Sequence, residues 1–328
     1  MAKSPFLNSI REFMLVRHYS LRTINTYIYW IHQYIIFHHK QHPRKLSSRD
    51  VEKFLTHLSV NRNVASATQA IALNALAFLY NKCLHQPVGD FGDFRRASRP
   101  RKLPTVLSMT EVSMLLQQLQ GSHWLMAALM YGSGLRRIEL VRLRVKDVDF
   151  QFSQLQIWHG KGMKHRLVTL APELHKPIKY QIQQVKLHLQ DDLAEHHYCG
   201  VFMPTALGKK YPNANKQLPW QYLFPAHLLS LEPGTNKLRR HHVHETSVNK
   251  FLAKACRAAN ISKQVGSHVL RHSFATHLLQ AGADIRTVQE QLGHADVKTT
   301  EIYNHVLKRG AKGVASPLSS LTHKKRQP

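Results

Sequence analysis

At 328 residues the chain is long enough for two ordinary domains, each with its own core, and 43% hydrophobic with 20% charged residues is a folding composition rather than a disordered one. Lys and Arg number 46 against 19 Asp and Glu, a formal net charge of +27, which points to a polyanionic partner, nucleic acid first. The excess is shared, +11 over residues 1–103 and +16 over the rest. That suits a protein holding DNA with both halves better than a neutral body with a basic tail, and leaves a membrane-surface protein as competitor.

Three cysteines, Cys83, Cys199 and Cys256, without a Cys-x-x-Cys pair indicate neither a disulfide framework nor a cysteine zinc site. The start, Met1-Ala2-Lys3-Ser4-Pro5, lacks an apolar signal region, and no run of about 18 apolar residues occurs, so neither secretion nor membrane spanning is expected. A cytoplasmic protein is the expectation.

In chain order, Ile24, Tyr27, Ile28, Ile31, Tyr34, Ile35 and Phe37 recur at spacings of three and four and predict a helix over 20–39, capped by Ser20 or Thr23. A second helix follows Ser47-Ser48-Arg49-Asp50 with Val51, Phe54, Leu55 and Leu58, and a third spans Ser66 to Leu84. These make a small all-helical domain. Between Pro87 and Pro104 the pattern dissolves into Gly89, Gly92, Pro100 and the cations Arg95, Arg96, Arg99, Arg101 and Lys102. A solvated loop and a strap along phosphates fit that stretch equally well. Beyond it, Ser108 or Thr110 can cap a helix with Val112, Leu115, Leu116 and Leu119, and another runs from Trp124 to Tyr131. Alternation in Leu155-Gln156-Ile157-Trp158 and Leu167-Val168-Thr169-Leu170, around the turn Gly160-Lys161-Gly162-Met163-Lys164, predicts a hairpin with Lys161 at its tip. The fold class is mainly α with a small antiparallel β-sheet, an α+β protein.

The distinctive segment is Ser267-His268-Val269-Leu270-Arg271-His272, followed by Leu292-Gly293-His294 and by Thr300-Glu301-Ile302-Tyr303. Three apart, His268 and Arg271 share one face of a helix, where imidazole and guanidinium can address one phosphate together. Upstream, Gly134-Leu135-Arg136-Arg137-Ile138-Glu139 places another arginine, Arg136, at a predicted helix start. Alone, a helical tyrosine is usually a packing residue and a His-x-x-x-His such as His268 and His272 usually surface; together with two arginines they point to phosphodiester chemistry.

In order and spacing, Arg136, His268-x-x-Arg271, Leu292-Gly293-His294 and Tyr303 resemble the active-site boxes of the tyrosine recombinases, the phage integrase family. They span about 170 residues, with Lys161 lying between the first two boxes. The resemblance implies a helical, SAM-like core-binding domain over 1–88, a basic linker over 89–103, a catalytic domain over 104–310 and a C-terminal tail over 311–328. It implies a 3′-phosphotyrosine intermediate formed by Tyr303. Arg136 and Arg271 would supply cations for the developing charge, His268 would take the proton, His294 would donate to the phosphate, and Lys161 would protonate the leaving 5′ oxygen. A phenol of pKa about 10 needs that help. No cofactor and no metal are implied, and no His-Glu-x-x-His is present. Many relatives carry Ile-Ser-Glu after the first arginine, where this chain has Arg137-Ile138-Glu139. Glu139 then reads as a partner for an arginine or as a surface pair.

From Lys161 to His268 the chain runs just over a hundred residues, with an added segment near 190–215 that compact relatives lack. Asp191 to His197 reads as helix, then a Pro-, Gly- and aromatic-rich stretch leads to Trp220 and to Arg239-Arg240-His241-His242-Val243-His244. This resembles the integron integrases, bacterial enzymes that insert and excise gene cassettes. The resemblance implies folded single-stranded attachment sites, with extrahelical bases captured by Trp158, Trp220, Pro233, His241 and His242. Stacking a flipped base on a ring recovers about 1–3 kcal/mol. Core packing is the competing reading for the tryptophans, and a fortuitous metal site for His241, His242 and His244. Recombinases of this type assemble as homotetramers on two DNA sites, often through tails such as Val314, Leu318 and Leu321, which can equally fold back in cis. An Xer-like or phage-type recombinase on duplex sites, a type IB topoisomerase and an architectural DNA-binding protein are the alternatives.

Overall fold

The computed structural model describes residues 4–87, 104–158 and 165–293. The basic stretch 88–103, the hairpin tip with Lys161, and the chain from His294 onward, Tyr303 included, lie outside the described residues. The chain divides into two compact units, Met1–Lys102 and Leu103–Pro328.

The first unit is helical throughout its described length. Its elements are α1 (Pro5–Val16), α2 (Leu21–Phe37), α3 (Ser48–Val60) and α4 (Ser66–Phe78), the last continuing as a π-helical stretch, Leu79–Leu84. Ser20 caps α2 by accepting the Thr23 N–H at 3.1 Å, and the Asp50 carboxylate closes the start of α3 on the Ser47 N–H at 2.9 Å. Met14, Ile24, Ile31, Phe54, Leu55, Leu58, Leu76 and Leu79 fill the core. Inside it the hydroxyls of Tyr34 and Tyr80 meet at 3.0 Å, and Tyr80 donates to the Pro43 carbonyl at 3.0 Å, so neither buried phenol is left unpaired. One uninterrupted helix was expected over 66–84. Its last six residues instead widen into π geometry, which lets Leu79, Tyr80 and Leu84 all face inward before His85 ends the helix at φ 53°.

The second unit adds α5 (Met109–Gln117), α6 (Gly121–Ser133), α7 (Arg137–Arg142), β1 (Val148–Asp149), β2 (Gln154–Ile157), β3 (Arg166–Thr169) and α8 (His175–Ala194). There follow α9 (Thr205–Lys210), β4 (Ser230–Leu231), β5 (Leu238–Arg239), α10 (Glu245–Ala258), α11 (Ser267–Gln280) and α12 (Ile285–Leu292). Strands β1, β2 and β3 form one antiparallel sheet with Leu155 opposite Val168 and Ile157 opposite Arg166, and β4 pairs with β5 in a smaller ribbon. The mainly helical, small-sheet fold class is thus observed. Ser108 caps α5 in a reciprocal box with Glu111, the bonds measuring 3.1 and 2.7 Å. Helix α6 is buried nearly all round, Leu125 to Met130 having almost no exposure, and the other elements pack about it.

The expected helix over 191–197 differs in its bounds. Residues 191–194 are the final turn of the twenty-residue α8, and Glu195 already leaves in extended geometry. Asp192 sets that end: it is buried on Arg240, so the chain must turn back there toward β5.

The α6–α7 junction turns on Gly134, at φ +62°, where a Cβ would lie 2.5 Å from the Phe274 ring on α11. Both the left-handed backbone and the close approach demand glycine. Gly134→Ala is expected to cost about 2–4 kcal/mol of stability, from strain plus displacement of Phe274, measured by urea unfolding at constant m-value.

Candidate active site

Helix α12 ends at Gly293, in the left-handed conformation at φ 61°, leaving its last carbonyls outside the helical ladder. Three arginines from three elements take them in turn. Arg166 on β3 donates Nε to the Gln291 carbonyl at 2.9 Å, Arg271 on α11 donates Nη2 to the Leu292 carbonyl, and Arg136 donates Nη2 to the Gly293 carbonyl at 2.9 Å. Cations at the negative end of a helix dipole are favourable. Successive carbonyls hold successive guanidiniums, so Arg136 and Arg271, 135 positions apart in sequence, stand side by side. Arg271 also donates Nη1 to the Gly134 carbonyl at 2.5 Å, bracing the loop that delivers Arg136.

Beneath them lies Glu139, whose side chain is 4% exposed. Both its oxygens accept from Arg166 at 2.8 Å; it also accepts from Arg136 Nη1 and from the Arg136 backbone N–H, each at 2.8 Å. Burial pushes this carboxyl up, but the hydrogen bonds and charge of Arg166, then those of Arg136, outweigh it and hold it down at about 2. Of the two readings open for Glu139, the arginine partner is the observed one. Arg166 itself was not singled out in the sequence: nothing in a strand residue beside a turn signals that it will meet a glutamate 27 positions upstream.

His268 lies on α11 within the field of the same cations. Its imidazole is held below the ordinary histidine value by burial first, then by Arg137, Arg271 and Arg136. His272, one turn on, is lowered to about 4 by burial, by His268 and by Arg271. Two fixed cations beside an imidazole kept neutral can bind a phosphodiester and accept a proton. Lys161, His294 and Tyr303 lie outside the described residues, so the structure groups Arg136, Arg271 and His268 out of the six expected catalytic positions.

Comparison with known proteins identifies the fold that carries this pocket. The family model described as phage integrase family matches residues 105–309, and that for the SAM-like N-terminal domain of phage integrases matches 6–90. The chain belongs to the phage integrase family. An integrase/recombinase of Escherichia coli is 42% identical over 315 residues, covering 96% of this chain and 93% of its own. The tyrosine recombinase XerD of Agrobacterium fabrum is 33% identical over 281 residues, covering 79% and 76%. In fold the chain is similar to XerH bound to its palindromic difH substrate, at TM-score 0.64 and 22% identity over 92% of this chain and 82% of that one. It is also similar in fold to the Tn1549 transposon integrase in complex with transposon right-end DNA, at TM-score 0.60 and 13% identity over 97% and 98%. The protein is therefore a site-specific tyrosine recombinase, an enzyme of the class that works through a phosphotyrosine intermediate.

In this recombinase the five residues expected to capture bases divide by place. Trp158, just past β2, and Trp220, at the end of a 3-10 turn, lie on one spot: the Lys146 ammonium is 4.7 Å from one indole centroid and 4.6 Å from the other. Asp147 anchors the group, accepting from Trp158 Nε1 at 2.8 Å and pairing with Lys146 at 3.3 Å. Trp158 is 47% exposed and so is not core, while Trp220 is half-buried. His242 is packed edge-on against Tyr222 at 5.2 Å with Nδ1 on the Val243 carbonyl at 2.8 Å, and burial lowers its pKa. His241 is half-buried beside it, and Pro233 stands exposed on the turn between β4 and β5. Among the described residues no group of three or more His, Cys, Asp or Glu could hold a metal ion, so His241, His242 and His244 do not form one.

The added stretch is held in place by arginines that sequence reading passed over. Arg240 pairs through Nε and Nη2 with Asp192 and gives Nη1 to the Ala226 and His227 carbonyls, at 3.0 and 2.7 Å. Arg239 reaches the Cys199, Gly200 and Val201 carbonyls through Nη1, and Arg144 donates to the Trp220 and Phe202 carbonyls. The pair Arg239-Arg240 precedes His241 directly, so buried anchors fix where that histidine begins.

Glu139→Gln would leave Arg136 and Arg166 without their shared counter-charge and is expected to destabilise by about 3–5 kcal/mol in denaturant unfolding. The lowered histidines give stability a pH dependence. Below about 6.5 the unfolded chain binds protons that folded His268 and His272 refuse, so stability falls as pH drops from 6.5 and the His272 contribution is fully lost by about 4. Unfolding free energies of His272→Gln against the parent over that range should show a flatter slope in the variant.

Proposed function

We propose that this tyrosine recombinase is an integron-type integrase that inserts or excises gene cassettes at folded single-stranded attachment sites, with Tyr303 as nucleophile. The observation that carries the specialised reading is the convergence of Trp158 and Trp220 on Lys146. Two indoles from segments 62 positions apart flank one cation, and aromatic rings grouped with a positive charge are suited to a base that leaves its stack beside a phosphate backbone. Pro233, His241 and His242 follow the added segment in sequence and would border the captured bases.

At the cleavage point Arg136 and Arg271 bind the non-bridging oxygens of the phosphodiester and stabilise its extra charge as Tyr303 attacks in line. His268, kept neutral, takes the phenol proton. His294 donates to the phosphate, and Lys161 gives its proton to the departing 5′ oxygen. The 3′-phosphotyrosine formed conserves the energy of the broken linkage, so a 5′ hydroxyl of another strand can displace Tyr303 and reseal without ATP. The charge of both parts of the sequence supports DNA as the partner, +11 over residues 1–103 and +16 over the rest; four copies on two sites would exchange strands in the bacterial cytoplasm, in association with the nucleoid. A duplex-acting recombinase of the Xer or phage type is the second reading, favoured by the likeness in fold to XerH on its palindromic difH substrate and to the Tn1549 integrase on transposon right-end DNA.

The test is a nicked suicide substrate offered as duplex and as folded single strand, with the covalent adduct resolved on a denaturing gel. Tyr303→Phe is expected to abolish the adduct while leaving DNA binding within about twofold. Trp158→Ala and Trp220→Ala are each expected to cost roughly ten-fold or more on the folded strand and little on the duplex. Equal loss on both substrates would defeat the single-strand reading and keep the recombinase.

A further inference from the structure

Two arginines that brace the catalytic unit each grip both oxygens of one carboxylate. Arg166 meets both oxygens of Glu139 and one carbonyl; Arg240 meets both oxygens of Asp192 and two carbonyls. Arg137 is built otherwise. It is the first residue of α7, directly after Arg136, and its side chain is 24% exposed. Among the described residues Nη2 alone is engaged, on a single oxygen of Glu245 at 3.1 Å, and the buried Nε has no hydrogen-bond partner there. A guanidinium offers five N–H donors in a planar fork, and leaving a buried one unpaired forfeits the hydrogen bonds it made to water. An arginine placed here solely to hold Glu245 would offer its fork to both carboxylate oxygens, as Arg166 does to Glu139 and Arg240 to Asp192.

Its surroundings say what the spare donors meet. Arg137 is the charge that weighs most on His268, ahead of Arg271 and Arg136, so it belongs to the same electrostatic neighbourhood as the candidate phosphate pocket. Glu245, its one partner, opens α10 and is itself 32% exposed on its side chain, so the pair is open to solvent and can be parted without stranding a buried carboxylate.

We propose that Arg137 is a third phosphate-contacting arginine of this recombinase, parked on Glu245 in the free protein and donating to the cleaved phosphodiester when DNA is bound. The inference rests on the reading that Arg136 and Arg271 hold that phosphodiester. With DNA in place, Arg137 brings a third fixed cation to the charge that develops as Tyr303 attacks, and its Nε–H finds the acceptor that the free protein denies it.

The experiment uses the full chain and a suicide duplex built on the sequence that the parent protein selects from a random oligonucleotide pool. The substrate is made with either an ordinary phosphate or a methylphosphonate at the cleaved linkage. The methylphosphonate lacks the negative charge, so a cation serving that charge becomes dispensable while one serving the fold does not. Arg137→Ala and the bulkier Arg137→Met are expected to lower the rate of adduct formation about 10- to 100-fold on phosphate. On methylphosphonate both should come within about threefold of the parent, as should Arg136→Ala, and Arg137→Lys should keep most of the activity on phosphate. Glu245→Gln, which breaks the ion pair but leaves the arginine, should form adduct at the parental rate. An equal loss on both linkages, an equal loss in Glu245→Gln, or no loss in Arg137→Ala would each overturn the proposal. If Arg136→Ala also keeps full activity on phosphate, the reading of the pocket itself fails, and this inference with it.

Discussion

A single buried carboxylate organises the catalytic unit. Glu139 holds Arg136 and Arg166 at once, and those two, with Arg271, take the three carbonyls that end α12. Each partner would be costly alone: a buried glutamate without cations, buried cations without a glutamate, and a helix end with unpaired carbonyls. Together they satisfy one another. They also bring α7, the hairpin strand β3, α11 and the end of α12 to one place, so the groups that would meet a phosphate are fixed before any DNA arrives. Gly293 permits this, since a Cβ there would lie 2.8 Å from the Arg166 side chain.

Placement near those cations also sets the histidine chemistry. An imidazole in water is half protonated near pH 6.5, whereas His268, withdrawn from water among Arg137, Arg271 and Arg136, stays neutral at neutral pH and able to accept a proton. The same positive field would attract a phosphate and keep the neighbouring imidazole unprotonated, so in the proposed reaction binding and proton transfer draw on one arrangement of charge. The added region follows a second such logic. Arg239, Arg240 and Arg144 donate to carbonyls of its irregular backbone, which lets a stretch poor in regular structure hold aromatic and imidazole groups at set positions.

Much was legible from sequence. The 3.6-residue periodicity located α2, α3, α5 and most of α4, because each buries one face, and α2, α3 and α5 also carry their own caps, as Ser20, Asp50 and Ser108 show. The β2–β3 hairpin was visible in its alternation and turn residues. Helix α1 was passed over although Leu7, Ile10 and Met14 carry the right spacing, and α8 because its polar face outweighs Ile178, Val185 and Leu189. The π-helical end of α4 was not legible, since nothing local distinguishes a five-residue hydrogen bond from a four-residue one; packing of Tyr80 and Leu84 decides it.

For the site, residue types and their order along the chain determined the chemistry: arginines stay charged, imidazoles move protons, and Arg136, His268 and Arg271 with a downstream tyrosine name a family before any coordinate is known. Tertiary structure alone decided which arginines face a phosphate pocket and which are braces. Arg136, Arg137, Arg166 and Arg240 are the same side chain, and only the buried carboxylates and helix carbonyls about them assign Arg166 and Arg240 to holding the fold. Those partners come from positions 27, 48 and 125 residues away, and interactions of that reach leave no periodic trace in a sequence, because they are set by how elements pack rather than by how each one forms.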